Sequence, residues 1–247
     1  MLLPTTYSIT KSQLELAKNT DFGDTFKSTI NKPTGNFFYD PWIIGDEYKD
    51  TVWNDILNTL PVSKGEARVI LLRPGQCYQS HSDIDDRYHL NINGDFNYLI
   101  DLDSEIMYRN NNDCKWYDLD TSSRHTAMNV GETVRVQLVV RKLLLNNVLN
   151  EFVKVKLSSI TLSPDDARYK FDDVISGWLN RANKTGIINE FNPSLTHVTF
   201  NIEKSCLIEL EKIMPTEFSL AMMGKHYACG MTKKIPIKQR IENLVKS

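Results

Sequence analysis

The 247-residue chain reads as a β-rich protein, with an antiparallel sandwich or barrel at its centre, flanking helices and a C-terminal α+β region. Three observations predict this. Between Ala67 and Arg141, short runs of alternating apolar and polar residues recur at close spacing, the period-two pattern of half-buried strands. Turn-forming residues separate the runs, most clearly Asn93-Gly94 and Asn129-Val130-Gly131. From about residue 148 the pattern changes to strands and helices in alternation.

In order along the chain, residues 1–46 read as a loosely structured lead-in, with a short helix over Ser12–Lys18 and a turn at Lys32-Pro33-Thr34-Gly35-Asn36. Phe37, Phe38, Tyr39 and Trp42 form an aromatic group that either packs on the flank of the core or lines a substrate mouth. Residues 47–60 predict a helix: Tyr48, Val52, Ile56 and Leu60 repeat every four positions, and Pro61 stops it. The predicted strands are Arg68–Leu72, Tyr88–Ile92, Asn97–Asp101, Ile106–Tyr108, Lys115–Asp118, Arg124–Ala127 and Thr133–Arg141. Next come a strand over Phe152–Leu162 and a helix capped by Ser163, with Pro164 at its first position and acids in its first turn. That helix carries an apolar stripe of Ala167, Phe171, Val174, Ile175, Trp178 and Ala182. A strand over Leu195–Ile202, a helix over Glu203–Met214, a strand over Phe218–Met222 and a last helix over Ile237–Val245 complete the reading. The expected domains are therefore residues 1–147, helices plus the β core, and residues 148–247, an accessory α+β region.

Composition narrows the class. Charged residues at 24% and hydrophobic ones at 41% suit a soluble globular chain, and a net charge of −2 carries no nucleic-acid footprint. Four cysteines, none in a C-x-x-C pair, predict reduced thiols in a cytoplasmic protein. MLLPTTYSITK lacks the features of a signal peptide, and no apolar run is long enough to span a membrane.

The chemistry concentrates between Arg73 and Arg141, in RPGQCYQSHSDIDDRYHLNI and YDLDTSSRHTAMNVGETVRVQLVVR. His81-Ser82-Asp83 is an H-x-D triplet; His125 follows 44 positions later and Arg135 ten beyond that. In extended chain, residues i and i+2 point to one side, so His81 and Asp83 can grip one ion while His125 completes a facial triad of the kind that holds non-haem Fe(II). Arg135, in the alternating run ETVRVQLVV, can anchor a carboxylate with its planar fork. Asp85 and Asp86 read as solvated, since the calcium loop their spacing suggests lacks its glycine and terminal glutamate. His226 and Cys229, with Cys206, lack a second ligand pair for zinc, and His197 reads as a hydrogen-bonded structural histidine.

This stretch, roughly residues 60–142, resembles the aspartyl/asparaginyl β-hydroxylase family of 2-oxoglutarate/Fe(II) oxygenases, which includes free-proline hydroxylases. Pro74-Gly75 and His81 match the family's PG-x5-H, Arg87-Tyr88-His89-Leu90 resembles its R-x-H-L strand, Asp120 and His125 its D-x4-H, and Arg135 falls at its ten-residue offset. The resemblance implies a double-stranded β-helix (jelly-roll) core, with His81, Asp83 and His125 on Fe(II). It implies that Arg135 holds the far carboxylate of 2-oxoglutarate, that His89 assists near the metal, and that ascorbate is an auxiliary reductant. The implied reaction hydroxylates an amino acid, free or in a peptide, with release of succinate and CO2. Arg87 is then available to an acidic group of the substrate, or else forms a structural ion pair. The loop between His81 and Arg87 is shorter than in the animal members, and those members lack a carboxylate at the position of Asp83; here the chain is more similar to the bacterial free-amino-acid branch. The alternative is a non-catalytic jelly-roll protein that binds a small molecule. Free proline, an Asp or Asn side chain and other small metabolites all stay open as substrate, and the oligomeric state is not legible.

Overall fold

The computed structural model of the chain describes residues 1–23, 25–144, 152–159, 163–194, 197–203 and 206–222. Its strands form several antiparallel sheets, and the contacts divide it into two units, Met1–Leu143 and Leu144–Ser247.

The first unit runs β1 (Leu2–Ser8), α1 (Lys11–Lys18), β2 (Lys27–Thr29), β3 (Asn31–Pro33), β4 (Trp42–Ile44), α2 (Val52–Asn58), β5 (Lys64–Leu72), β6 (Arg87–Asn93), β7 (Asn97–Asp101), β8 (Ile106–Asn110), β9 (Lys115–Leu119), β10 (His125–Asn129) and β11 (Arg135–Lys142). A six-stranded sheet has the order β1-β9-β6-β11-β5-β2, a three-stranded sheet the order β10-β7-β8, and β3 and β4 form a hairpin.

Strand alternation gives the large sheet two unlike faces. Ala67 and Val69 of β5, Leu90 and Ile92 of β6, and Leu138 and Val140 of β11 point to one side, where they pack with Trp53, Ile56 and Leu57 of α2 and Leu14 and Ala17 of α1. Many of the intervening residues of the same strands are polar, yet Arg87, His89, Asn91, Arg135, Gln137 and Arg141 are all buried. The cross-strand register lines them up: Gln137 stands opposite Asn91, Val139 opposite His89 and Arg141 opposite Arg87. The three-stranded sheet bonds to this polar side, through Asn97 Nδ2 to Asn91 Oδ1 (3.3 Å) and Arg135 Nη1 to the Tyr98 carbonyl (3.3 Å). The indole N–H groups on the apolar side also find partners: Trp53 donates to Thr20 Oγ1 at 3.1 Å and Trp116 to Thr59 Oγ1 at 2.9 Å.

Two expectations need correction. The lead-in is structured: β1 pairs with β9 from Leu2↔Leu119 to Ser8↔Lys115 and forms an edge of the large sheet, where Pro4 is tolerated. The helix expected over residues 47–60 is interrupted. A 3-10 turn spans Asp46–Tyr48; Thr51 is extended, and its hydroxyl caps α2 by accepting from Trp53 N at 3.3 Å. The short helix near Ser12 does form, with Thr10 and Gln13 in a reciprocal capping box. The expected Asn93-Gly94 turn is the β6–β7 connection, and Gly94 has φ +118°, a region L side chains rarely enter.

The second unit holds β12 (Phe152–Ser159), α3 (Pro164–Lys170), α4 (Ser176–Lys184), β13 (Ile188–Pro193), β14 (His197–Glu203), α5 (Leu207–Ile213) and β15 (Phe218–Met222). Its sheet has the order β13-β14-β12-β15. Ser163 caps α3 as expected, accepting from Asp166 N at 3.2 Å. The apolar stripe does not continue as one face. A wider π-type turn over Phe171–Ile175 rotates α4 relative to α3, so Val174 is exposed while Ile175, Leu179 and Ala182 are buried. His197 takes the expected structural role, with Nδ1 2.8 Å from Ser194 Oγ. Cys77 and Cys114 are free thiols. Among the described residues, no helix is long and apolar enough to cross a membrane. His226, Cys229 and the expected helix over Ile237–Val245 lie outside the described residues.

Candidate metal centre

The ligand carriers are joined by their own backbones. His81 and His125 form an isolated antiparallel bridge: His81 N donates to the His125 carbonyl at 3.0 Å, and His125 N to that of His81 at 2.8 Å. This sets their imidazole rings side by side, centroids 4.6 Å apart. Each ring is oriented by its own chain: Nδ1 lies 2.8 Å from the Gln79 carbonyl in His81, and 2.9 Å from the Ser123 carbonyl in His125. A carbonyl can only accept, so the proton sits on Nδ1 and the Nε2 lone pair is left for a ligand. Asp120 holds the loop before His125, accepting at Oδ1 from Ser122 N (3.0 Å) and Ser122 Oγ (2.6 Å).

Asp83 completes the group. Its amide donates to the Thr121 carbonyl at 3.0 Å, and its Oδ2 lies 3.6 Å from His81 Nε2 and 3.8 Å from His125 Nε2. One donor atom from each residue falls within 4.8 Å of the others, so the three can hold a metal ion. Donors about 2.1 Å from one first-row ion stand about 3 Å apart at right angles, so a small contraction suffices. Two neutral imidazoles and one carboxylate on one side suit a divalent ion, with the opposite positions open.

The electrostatics fit this assignment. Burial raises the Asp83 carboxyl, but the Arg87 guanidinium and the two histidines outweigh it and hold the group well below the usual carboxylate range. Burial lowers His125, keeping it neutral, whereas the hydrogen bond and charge of Asp83 outweigh burial and raise His81. A proton on His81 therefore competes with metal more strongly than on an ordinary imidazole.

The other expected residues lie on the polar face of the large sheet. Arg135 is 1% exposed; its Nη2 donates to Gln137 Oε1 at 2.5 Å, while its Nε–H is buried without a partner. Burial pushes it down to about 10, still protonated at neutral pH. His89 is buried with its Nδ1 unpartnered, and burial, then the charges of Arg135, His125 and Arg87, hold it well below the ordinary imidazole value. Unmatched buried polar atoms are costly, and these two would each gain from a polar ligand. Tyr78 stands 5.2 Å from the His81 ring and stacks on Phe26 at 5.6 Å, an aromatic wall beside the ligands.

Arg87 forms the ion pairs that were its alternative role. Its Nη2 donates to Asp83 Oδ1 at 2.9 Å, and its Nη1 pairs with Asp85. Asp85 and Asp86, expected in solvent, are not there. Asp85 is 2% exposed and its second oxygen pairs with Arg141; Asp86 is half-buried and accepts from Thr121 N at 3.2 Å. Arg141 continues to Glu66 at 4.0 Å and stacks over Phe37 and Phe38, 4.1 and 4.3 Å from their centroids. Glu66 in turn lies 3.6 Å from Arg68. The aromatic group thus packs on a buried arginine of the core. The sequence reading did not single out Arg141, Glu66, Arg68, Asn91 or Gln137. Part of their signal was present: polar residues alternate with apolar ones over Arg87–Asn93 and Arg135–Leu138.

His89 gives a pH-dependent expectation. Its folded value is depressed below about 6.5, the value of an unperturbed imidazole, so the unfolded chain binds more protons as pH falls through that value. Its contribution to stability is present above that pH and lost below it. In the metal-free protein, the stability difference between wild type and His89→Asn should move in the variant's favour by about 1–2 kcal/mol from pH 7 to pH 5. Urea midpoints measure it; a difference that does not change with pH would mean that His89 titrates alike in both states.

No protein-family model matches the chain, and no curated protein matches it.

Proposed function

We propose that the chain is an Fe(II)- and 2-oxoglutarate-dependent dioxygenase, similar to the aspartyl/asparaginyl β-hydroxylases, that hydroxylates an amino acid, free or in a peptide. The observation that carries this reading is the His81–Asp83–His125 group together with a buried polar layer that holds the partly unpartnered Arg135. A structural metal site would need closure by a fourth protein ligand; among the described residues the group offers three. A facial set with open positions suits Fe(II) that must also accept a chelating co-substrate and dioxygen. The two sheets on either side of this layer suit a double-stranded β-helix, which the reading adopts for the first unit.

The residues fit 2-oxoglutarate. Arg135 would take its far carboxylate, using donors that Gln137 and the Tyr98 carbonyl leave over, since guanidinium has five N–H groups. His89, neutral and with a ring nitrogen unmatched, would bond nearer the metal. When bound, Fe(II) and 2-oxoglutarate supply the oxidising chemistry, by which one atom of dioxygen goes to succinate and the other to a C–H bond, with release of CO2. The chain's own residues hold, orient and exclude water: backbone carbonyls keep the proton of each imidazole on Nδ1 and so turn Nε2 to the ion, and Tyr78 and Phe26 shield one side.

Succinate release from 2-oxoglutarate, with Fe(II) and ascorbate and a panel of free amino acids and short peptides, tests the reading. Arg135→Lys keeps the charge but loses the fork. It should weaken 2-oxoglutarate binding about 10- to 100-fold, the worth of a charge-assisted bond, and leave Fe(II) affinity within about twofold. Unchanged 2-oxoglutarate affinity would remove Arg135 from the site. Binding of metal and 2-oxoglutarate without turnover on any substrate would favour a binding protein instead.

A further inference from the structure

We infer that Arg87 is a positioning residue for the metal-ligating carboxylate of Asp83, and that Asp85, anchored by Arg141, locks Arg87 in the required orientation. The inference rests on the reading of His81, Asp83 and His125 as metal ligands.

A carboxylate on a short side chain has two equivalent oxygens and a rotatable bond, so a ligand aspartate must be told which oxygen to offer and in which direction. The two oxygens of Asp83 face different partners. Oδ2 is turned towards His81 Nε2 and His125 Nε2, at 3.6 and 3.8 Å. Oδ1 is held by Arg87 Nη2 at 2.9 Å. With Oδ1 engaged, Asp83 offers a single oxygen to an ion and cannot swing round to bind through both. A two-oxygen mode would fill one of the positions that the three-ligand set leaves open. Arg87 therefore acts on coordination number as well as on ligand direction.

Arg87 is itself fixed. Its Nη1 pairs with one oxygen of Asp85, and the other oxygen of Asp85 pairs with Nε and Nη2 of Arg141. The side chains of Arg87, Asp85 and Arg141 are 6%, 2% and 5% exposed, so bulk water is a poor substitute for any of these bonds. The segment that carries both acids is clamped at both ends by one residue: Asp83 N donates to the Thr121 carbonyl at 3.0 Å, and Thr121 Oγ1 donates to the Asp85 carbonyl at 2.8 Å. Cross-strand pairing adds the last constraint, since Arg87 and Arg141 are direct partners on β6 and β11. Two arginines side by side would repel, and Asp85 between them makes the arrangement stable. With both terminal nitrogens of Arg87 on acids of the chain, its use as a substrate anchor is disfavoured.

Co(II), a divalent ion visible by its d–d absorption, is the probe, titrated into the full-length metal-free chain. Three variants are compared with wild type: Arg87→Met, which keeps an unbranched apolar stem and loses charge and fork; Arg87→Lys, which keeps charge; and Asp85→Asn, which keeps shape and loses charge. Circular dichroism reports folding. The inference expects Co(II) affinity to fall about 10- to 100-fold in Arg87→Met and Asp85→Asn, the range for loss of an outer-sphere partner. It also expects their d–d bands to change in intensity as the coordination number changes, with Arg87→Lys intermediate in both readouts. Wild-type affinity and spectrum in folded variants would overturn it, and so would unchanged Co(II) binding joined to a raised KM for the organic substrate, which would make Arg87 a substrate anchor. If Arg87→Met does not fold, the other two variants decide; if none folds, the cluster is a stability device and the positioning role is overturned. A wild-type chain that binds no Co(II) at all would sink the metal-site reading itself, a result distinct from any of these.

Discussion

Asp83→Ala is expected to weaken divalent-metal binding by more than about 100-fold, beyond the range for outer-sphere losses. Asp83 supplies the only negative charge of the three-residue group, and its Oδ2 is the atom nearest both imidazole Nε2 positions. Its removal leaves a pair of neutral imidazoles beside a buried guanidinium, Arg87, whose charge then repels the ion. Asp86→Ala is the matched control. Asp86 belongs to the same acidic run, yet its carboxylate bonds to Thr121 N and is outside the ligand group, so metal affinity should stay within about twofold. Anaerobic calorimetric titration with Fe(II) measures both. Wild-type affinity in Asp83→Ala would leave a two-histidine centre and withdraw Asp83 as a ligand, with His81 and His125 still standing.

The second large effect is on stability. Asp85→Ala is expected to destabilise the metal-free chain by about 3–5 kcal/mol, because it strips the shared counter-charge from two buried arginines. The cost lies in the unmatched charges left behind more than in the attraction lost. Burial already pushes Arg87 and Arg141 each down to about 9, a sign of how poorly water reaches them. Asp86→Ala, which removes the acceptor of Thr121 N from a half-buried position, should cost about 1 kcal/mol. Urea unfolding of the two variants compares them directly. A loss below about 1 kcal/mol for Asp85→Ala would mean that water or neighbouring acids replace it with little strain.

The contrast between Asp85 and Asp83 shows what was legible in the sequence. Asp83 was found because its chemistry is local: two residues from His81, at a spacing that makes one ligand pair. The expected strand Asn97–Asp101 matches β7, and Lys115–Asp118 falls one residue short of β9, because short runs of aromatic and branched apolar residues stand there between polar turn residues. Asp85 was misread because a run of acids usually faces water, and its partner Arg141 lies 56 positions away. Only the pairing of β6 with β11 brings the arginines together. The start of β5 was missed for a related reason: Lys64, Gly65 and Glu66 look like a loop, but Glu66 belongs to the buried charged layer. β1 escaped because edge strands need not alternate strongly and admit proline. The π-type turn at Phe171–Ile175 was illegible because a periodic apolar pattern carries no mark where one extra residue enters a turn.

The two-faced sheet also bears on how the chain finds its register. A strand that slips by one residue exchanges its faces. In β6 such a slip would drive Arg87 and His89 against Trp53 and Ile56 and send Leu90 and Ile92 among the charges. The misplaced Arg87 would lose its partner acids, so the slipped pairing is excluded on energetic grounds as well as by shape. In most half-buried sheets a slipped strand is penalised on one side only, by the hydrophobic groups it exposes. Here both sides object. The charged layer thus acts during folding as a second check on alignment, before any metal is present.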